Sequence, residues 1–363
     1  MKEKILYLSH IDWKWIKQRP QFVADELKKH FEVYVLYMFQ NRNRKSLQKR
    51  SAGKENVFPI FTIPLAGRFA FTHKINVKFM SAQISRHLRR FKADYVYITH
   101  PLVSEFLPES FGGKIIYDCM DDHVALCVKG AEQRVFALEE ALIKKAEVVF
   151  VSSENLREKL IKRYGDENAD KMSIIRNGYN GEVLSTVSQK SKGNGTFTLS
   201  YIGTIGKWFN FDFIKRSLED FPTLRYKIIG PLDAEAPTDD KIEYTGTIEH
   251  HRLYDAIKDT DALMMPFVVN EIVESVDPVK LYEYINYNMN ILCVRYKEIE
   301  RFEPFVHFYT DYESYKAQIE KMMADNTLKY DEKQRETFLA ESSWSARAET
   351  IESIIHNDAK EDV

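Results

Sequence analysis

Short apolar runs alternate with amphipathic stretches along the whole chain. Residues 5–9, 32–37, 95–99, 114–118 and 148–152 are runs of five or six mostly apolar residues, the pattern of parallel strands covered on both faces. Between them, residues 20–29, 73–91, 131–145 and 154–164 place apolar side chains at helical spacing, and Ser152-Ser153-Glu154 caps the last of these. Strands alternating with helices predict a doubly wound parallel sheet.

The rhythm breaks at 181–196, a stretch rich in Gly, Ser and Lys without periodicity, which reads as a linker. It resumes with a strand at 197–202, the loop Gly203-Thr204-Ile205-Gly206-Lys207 and a helix at 210–219. Strands at 226–229, 242–244, 262–266 and 291–294 follow, with helices at 250–258, 278–287, 312–324 and 331–339. The tail from Ser343-Trp344 sets Ile351, Ile354 and Ile355 at helical spacing. The expected plan is an α/β chain of two domains, 1–180 and 197–343, with a last helix at 344–358.

Ligands of open parallel sheets sit beyond the carboxyl ends of the strands. In the second half, Asp277 reads as the cap and Pro278 as the first residue of a helix that opens there, so its free N–H groups and dipole suit a phosphate. Lys280 and Glu283 share a face of that helix, a cation for phosphate beside a carboxylate for sugar hydroxyls. Gly203 and Gly206 let backbone approach a diphosphate and Lys207 supplies charge, but the loop is too short for a dinucleotide fingerprint. In the first half, His10, His100 and the string Tyr117-Asp118-Cys119-Met120-Asp121-Asp122-His123 end three strands. Asp121 or Asp122 can orient a hydroxyl or take its proton, and Arg19 can clamp a phosphate or carboxylate.

These residues carry a resemblance. Pro278-x-Lys280-x-x-Glu283-Tyr284 resembles the donor signature of GT-B glycosyltransferases, with Ser275 where the commoner form has its first Glu. The string Tyr117–Asp122 and the loop Trp15-x-x-x-Arg19-Pro20-Gln21 resemble bacterial cell-surface polysaccharide glycosyltransferases of the teichuronic-acid and rhamnan type, similar to family 4. The resemblance implies two Rossmann-like domains facing a central cleft, with the last helix crossing back to the N-terminal domain. It further implies transfer of a hexosyl group, with retention, from a nucleotide-diphosphate sugar (UDP first) to a saccharide or lipid-linked oligosaccharide. Asp121, Asp122, His100 and Lys207 would be catalytic. Gly203, Gly206, Lys207, Asp277, Lys280 and Glu283 would hold the donor, and Trp15, Arg19, Gln21 and His123 the acceptor. No cofactor and no metal are expected: Asp118, Asp121, Asp122 and His123 are ligand-type residues, but GT-B enzymes typically bind none.

Composition narrows the setting. The net charge of −2 hides 31 Lys+Arg against 21 Asp+Glu in residues 1–180, and 21 against 33 in the remainder. Residues 41–92 carry 13 basic residues and one acidic, Glu55, interleaved with Phe69, Phe71, Phe79 and Met80. This suits peripheral contact with an anionic membrane or a polyanion, and equally a solvated helix face beside a loop. No binding module for nucleic acid accompanies the charge. No secretory leader and no membrane span are expected, and Cys119, Cys127 and Cys293 lack metal-ligand spacing, so the expected location is cytoplasmic, at the inner face of the membrane. Two other readings compete: a degenerate transferase acting as a partner subunit, and a GT-B nucleotide-sugar epimerase. A dinucleotide oxidoreductase lacks its glycine fingerprint.

Overall fold

Residues 2–13, 17–39, 56–63, 70–179, 181, 183–184, 195–249 and 252–356 are described by the computed structural model. The chain divides into two compact units, 1–177 with 344–363, and 178–343. Trp15, the cluster from Arg42 to Arg50, Phe69 and most of the 181–196 linker lie outside the described residues.

In the first unit, β1 (Lys4–Ser9), β2 (Glu32–Met38), β3 (Val57–Ile60), β4 (Tyr95–Ile98), β5 (Lys114–Cys119), β6 (Val148–Val151) and β7 (Met172–Ile174) form one parallel sheet in the order β3-β2-β1-β4-β5-β6-β7. Strand β1 lies between β2 and β4, with Ile5 level with Val33 on one side and Tyr95 on the other. Side chains alternate between two cores, which explains the unbroken apolar runs. Leu6, Leu8, Val96 and Ile98 pack with Met80 and Ile84 of the helix Ala70–Phe91. Ile5, Tyr7, Val33, Val35 and Tyr97 face the other way, onto the helix Arg19–Leu27.

That second face is completed by the last helix, Trp344–Ile355. Its buried residues Trp344, Ala348, Ile351 and Ile355 recur at steps of three and four, one apolar stripe. The Trp344 ring stacks on Phe22 with centroids 5.5 Å apart. The end of the chain therefore belongs to the N-terminal unit, as the resemblance implied.

The second unit repeats the plan with β8 (Phe197–Ile202), β9 (Leu224–Ile229), β10 (Ile242–Gly246), β11 (Ala262–Met265), β12 (Asn290–Val294) and β13 (His307–Tyr309), in the order β10-β9-β8-β11-β12-β13. Every described pairing within both sheets is parallel. In each unit the strand order reverses at the first strand, so crevices open beyond the carboxyl ends of β1 and β4, and of β8 and β11. Strands β3, β7 and β13 were not anticipated, and the expected 250–258 helix is described only as Leu253–Ala256. Among the described residues, no helix is long and apolar enough to cross a membrane.

Candidate functional site

At the switch point of the second unit, β8 ends at Ile202 and the chain turns through Gly203 at φ +152°. A Cβ on Gly203 would overlap Cε of Lys280, and one on Gly230 would overlap the Gly203 carbonyl. Only glycine at 203 lets the lysine chain cross the loop. Lys280 comes from the helix Val279–Asn286. Burial holds its ammonium below the ordinary lysine range, with Glu283 opposing.

The same helix is locked to β8 by Tyr284. Its buried hydroxyl accepts from the Ile202 N–H at 2.8 Å and donates to the Ile202 carbonyl at 3.3 Å. The tyrosine of the donor-like motif thus sets the distance between the helix and the glycine loop. Sequence reasoning gave it no role.

Asp277 is not the helix cap. Pro278 occupies that position, no side chain caps the helix, and it begins at Val279. The buried Asp277 carboxylate pairs with Arg301 and accepts from the Tyr282 hydroxyl at 3.3 Å. Arg301 also donates to the Tyr282 oxygen at 2.7 Å. A cation 24 positions downstream therefore fixes the start of the helix, and a sequence window cannot see it. Ser275 is buried in the single turn Val273–Ser275 and donates to the Glu271 carbonyl at 3.3 Å. Lys207 is exposed, and the half-exposed Trp208 ring lies over Gly206.

In the first unit three histidines meet at the ends of β1, β4 and β5. The His100 ring centroid is 4.8 Å from that of His10 and 4.3 Å from that of His123. Thr99 Oγ1 donates to the Leu8 carbonyl at 3.2 Å, so it accepts from His10 Nδ1 at 2.9 Å. That leaves His10 Nε2 unprotonated, a hydrogen-bond acceptor. His100 Nδ1 accepts from the Leu102 N–H at 3.1 Å, which puts its proton on Nε2. Burial, with the neighbouring histidines adding to it for His10 and His123, pushes His10 down to about 3, His100 to about 4 and His123 well below its usual value. All three are neutral near pH 7.

The two adjacent aspartates differ. Asp121 is exposed by area, yet desolvation by the protein packed around it pushes its carboxyl up to about 6, with Arg19 opposing and Asp118 and Asp122 adding to the rise. Asp122 is buried and caps the helix His123–Leu126 by accepting from the Ala125 N–H at 3.1 Å. Burial would raise it, but the Arg163 hydrogen bond at 2.9 Å and the Ala125 N–H outweigh this and hold it low. Arg19 lies inside the unit, forked onto Asp118 at 2.8–3.2 Å and reaching Asn177 at 3.3 Å. Gln21 is buried too and accepts from the Gln18 N–H at 2.9 Å.

The expectation that the chain carries no metal or cofactor requires correction. Cys119, His123 and Glu139, all buried, bring one ligand atom each to within 4.8 Å of one another. The residues weighed from sequence included two that are committed elsewhere, Asp118 to Arg19 and Asp122 to Arg163. The cluster draws instead on the end of β5, the short helix after it and the middle of the helix Glu132–Lys145.

No protein-family model and no curated protein sequence matches the chain. Solved structures do. Sucrose-phosphate synthase from Thermosynechococcus elongatus superposes with a TM-score of 0.73 at 12% identity, over 98% of this chain and 99% of its own. The apo form of the lipopolysaccharide outer core galactosyltransferase WaaB gives 0.69 at 11%, over 98% and 99%. A UDP-N-acetylglucosamine 2-epimerase from Rickettsia bellii gives 0.52 at 12%, over 98% and 97%. The fold is GT-B. Identities this low carry the architecture alone. The narrower likeness to teichuronic-acid and rhamnan transferases rests on the two loop strings.

Proposed function

We propose that the chain is a nucleotide-sugar enzyme whose second unit holds the diphosphate of its donor. The observation that carries this reading is the Lys280 side chain crossing Gly203 at the switch point. A partly desolvated ammonium beside a helix N-terminus gains most from an anionic ligand. Lys280, Lys207 and the helix N-terminus would offset charge growing on a leaving diphosphate, and Glu283 would take ribose hydroxyls. Gly203 and Gly206 would admit the diphosphate to the backbone.

The reaction we favour is transfer of a hexosyl group, with retention, to a saccharide acceptor, lipid-linked and destined for a cell-surface polysaccharide. The histidine rim of the first unit would receive the acceptor hydroxyl. Asp121, held near 6 and open to solvent, suits a proton acceptor better than the ion-paired Asp122. His100 would line the acceptor beside His10, and the buried Arg19 and Gln21 hold Asp118 and the Gln18 N–H. Membrane contact at the cytoplasmic face has support in the helix Ala70–Phe91. Phe71, Ile75 and Phe79 are exposed at i, i+4 and i+8 beside Lys74 and Lys78, and the helix has no acidic residue.

A second reading is favoured by the epimerases that share the fold. An epimerase needs an acid/base pair at the sugar and no acceptor. The test is incubation with UDP-, GDP- and dTDP-sugars, followed by NMR of the sugar. Inversion at a ring carbon without any acceptor supports epimerisation and refutes transfer. Consumption of donor only when a saccharide is added, with the new linkage of unchanged anomeric configuration, supports retaining transfer.

A further inference from the structure

Below the histidine rim, Cys119 ends β5, His123 opens the next short helix and Glu139 projects from the middle of the helix Glu132–Lys145. We propose that Cys119 Sγ, a ring nitrogen of His123 and a carboxylate oxygen of Glu139 are three ligands of a zinc ion, with a fourth position left for water. The site would tie the loop after β5 to the helix beneath it. It does not depend on the nucleotide reading.

Four observations carry the inference. The Cys119 thiol donates to Glu139 Oε1 with its sulfur 3.6 Å from the oxygen. Tetrahedral zinc, with a bond of about 2.3 Å to sulfur and about 2.1 Å to oxygen, sets those two atoms about 3.6 Å apart. The three ligand atoms are already gathered within 4.8 Å of one another. Thiolate with imidazole and carboxylate selects zinc over magnesium or calcium, which prefer all-oxygen cages.

The carboxylate is also held from behind. Tyr117 donates to Glu139 Oε1 at 2.5 Å and Tyr164 donates to Oε2 at 2.7 Å, the outer hydrogen bonds that orient a metal-binding carboxylate. His123 Nε2 is buried with no hydrogen-bond partner, and such atoms are rare in native interiors. Charge balance agrees. Thiolate, carboxylate and a dication sum to zero, and Arg163, paired with Asp122 at 2.9 Å, also lies 3.7 Å from Glu139 Oε2. On binding, the Cys119 thiol passes its proton to solvent as the S–Zn bond forms.

The test uses the full chain, stripped of metal and titrated with cobalt(II) as a spectroscopic probe, beside elemental analysis of the protein as purified. The proposal expects about one zinc per chain. It also expects a thiolate-to-cobalt charge-transfer band with the intense visible bands of tetrahedral cobalt, both retained in Cys127→Ser and Cys293→Ser. Cys119→Ser should lose the charge-transfer band, and Tyr164→Phe should weaken binding about 10-fold or more. Two results would overturn the site: wild-type protein with neither zinc nor a charge-transfer band, or a band that survives Cys119→Ser and disappears in Cys127→Ser. Because wild type alone decides the first, a variant that does not fold cannot rescue the proposal.

Discussion

The most quantitative consequence of the histidine rim is a loss of stability on mild acidification, isolated by His100→Asn. Burial sets the folded-state pKa of His100 at about 4, against 6.5 for a free histidine. Between those values the unfolded chain binds the proton and the folded chain does not, so stability is full above 6.5 and falls as pH drops toward 4. At about 1.36 kcal/mol per pH unit the gap is worth ~3.4 kcal/mol in all, of which about 2 kcal/mol is gone by pH 5. Asn keeps the turn intact, because its side chain can accept from the Leu102 N–H as His100 does. Urea unfolding of both proteins at pH 7 and pH 5 gives the two losses. The wild type should lose about 2 kcal/mol more than His100→Asn, and its His100 ring protons should show no titration by NMR above pH 5. Parallel losses in the two proteins, or a ring that titrates near 6.5, would refute the burial argument.

Other perturbations address other parts of the molecule. Trp344→Ala empties a buried site against Phe22 and should cost about 3–5 kcal/mol in urea unfolding. Gly203→Ala strains a φ of +152° and displaces Lys280. It should cost about 1–3 kcal/mol of stability, and nucleoside-diphosphate affinity should fall about 10–100-fold by calorimetry. Replacing the exposed Arg86, Arg89 and Arg90 with Gln should weaken binding to anionic vesicles by about 1 kcal/mol per residue. Flotation that is insensitive to both these changes and salt would remove the membrane-contact reading.

The interior of both sheets was legible because strands covered on two faces must be apolar throughout. Edge strands escaped for the complementary reason. Val57–Ile60 contains Pro59, tolerated because it lies at a sheet edge. Met172–Ile174 and His307–Tyr309 are three-residue edges too short to show a period. Strand ends also pointed to His10, His100 and the Asp121–His123 loop, since position relative to a strand is local information. What stayed hidden were partnerships between distant segments. Asp277 has the sequence signature of a cap, yet Arg301 claims it. Arg19 has the look of a phosphate clamp, yet Asp118 claims it. Glu139 sits mid-helix among charged neighbours, and only the folded chain sets it beside Cys119 and His123.

The central claim, a diphosphate held by Lys280 and Glu283 beside Gly203, is tested most directly by isothermal calorimetry of UDP, GDP and dTDP with the wild type, Lys280→Met and Glu283→Ala. The account predicts that one nucleotide binds the wild type and stabilises it by about 2.7 kcal/mol at a hundredfold excess over Kd, and that both variants lose the binding while keeping the fold. Binding unchanged in both variants would contradict the site. No binding of any of the three would contradict the enzyme reading and leave the chain as a partner subunit.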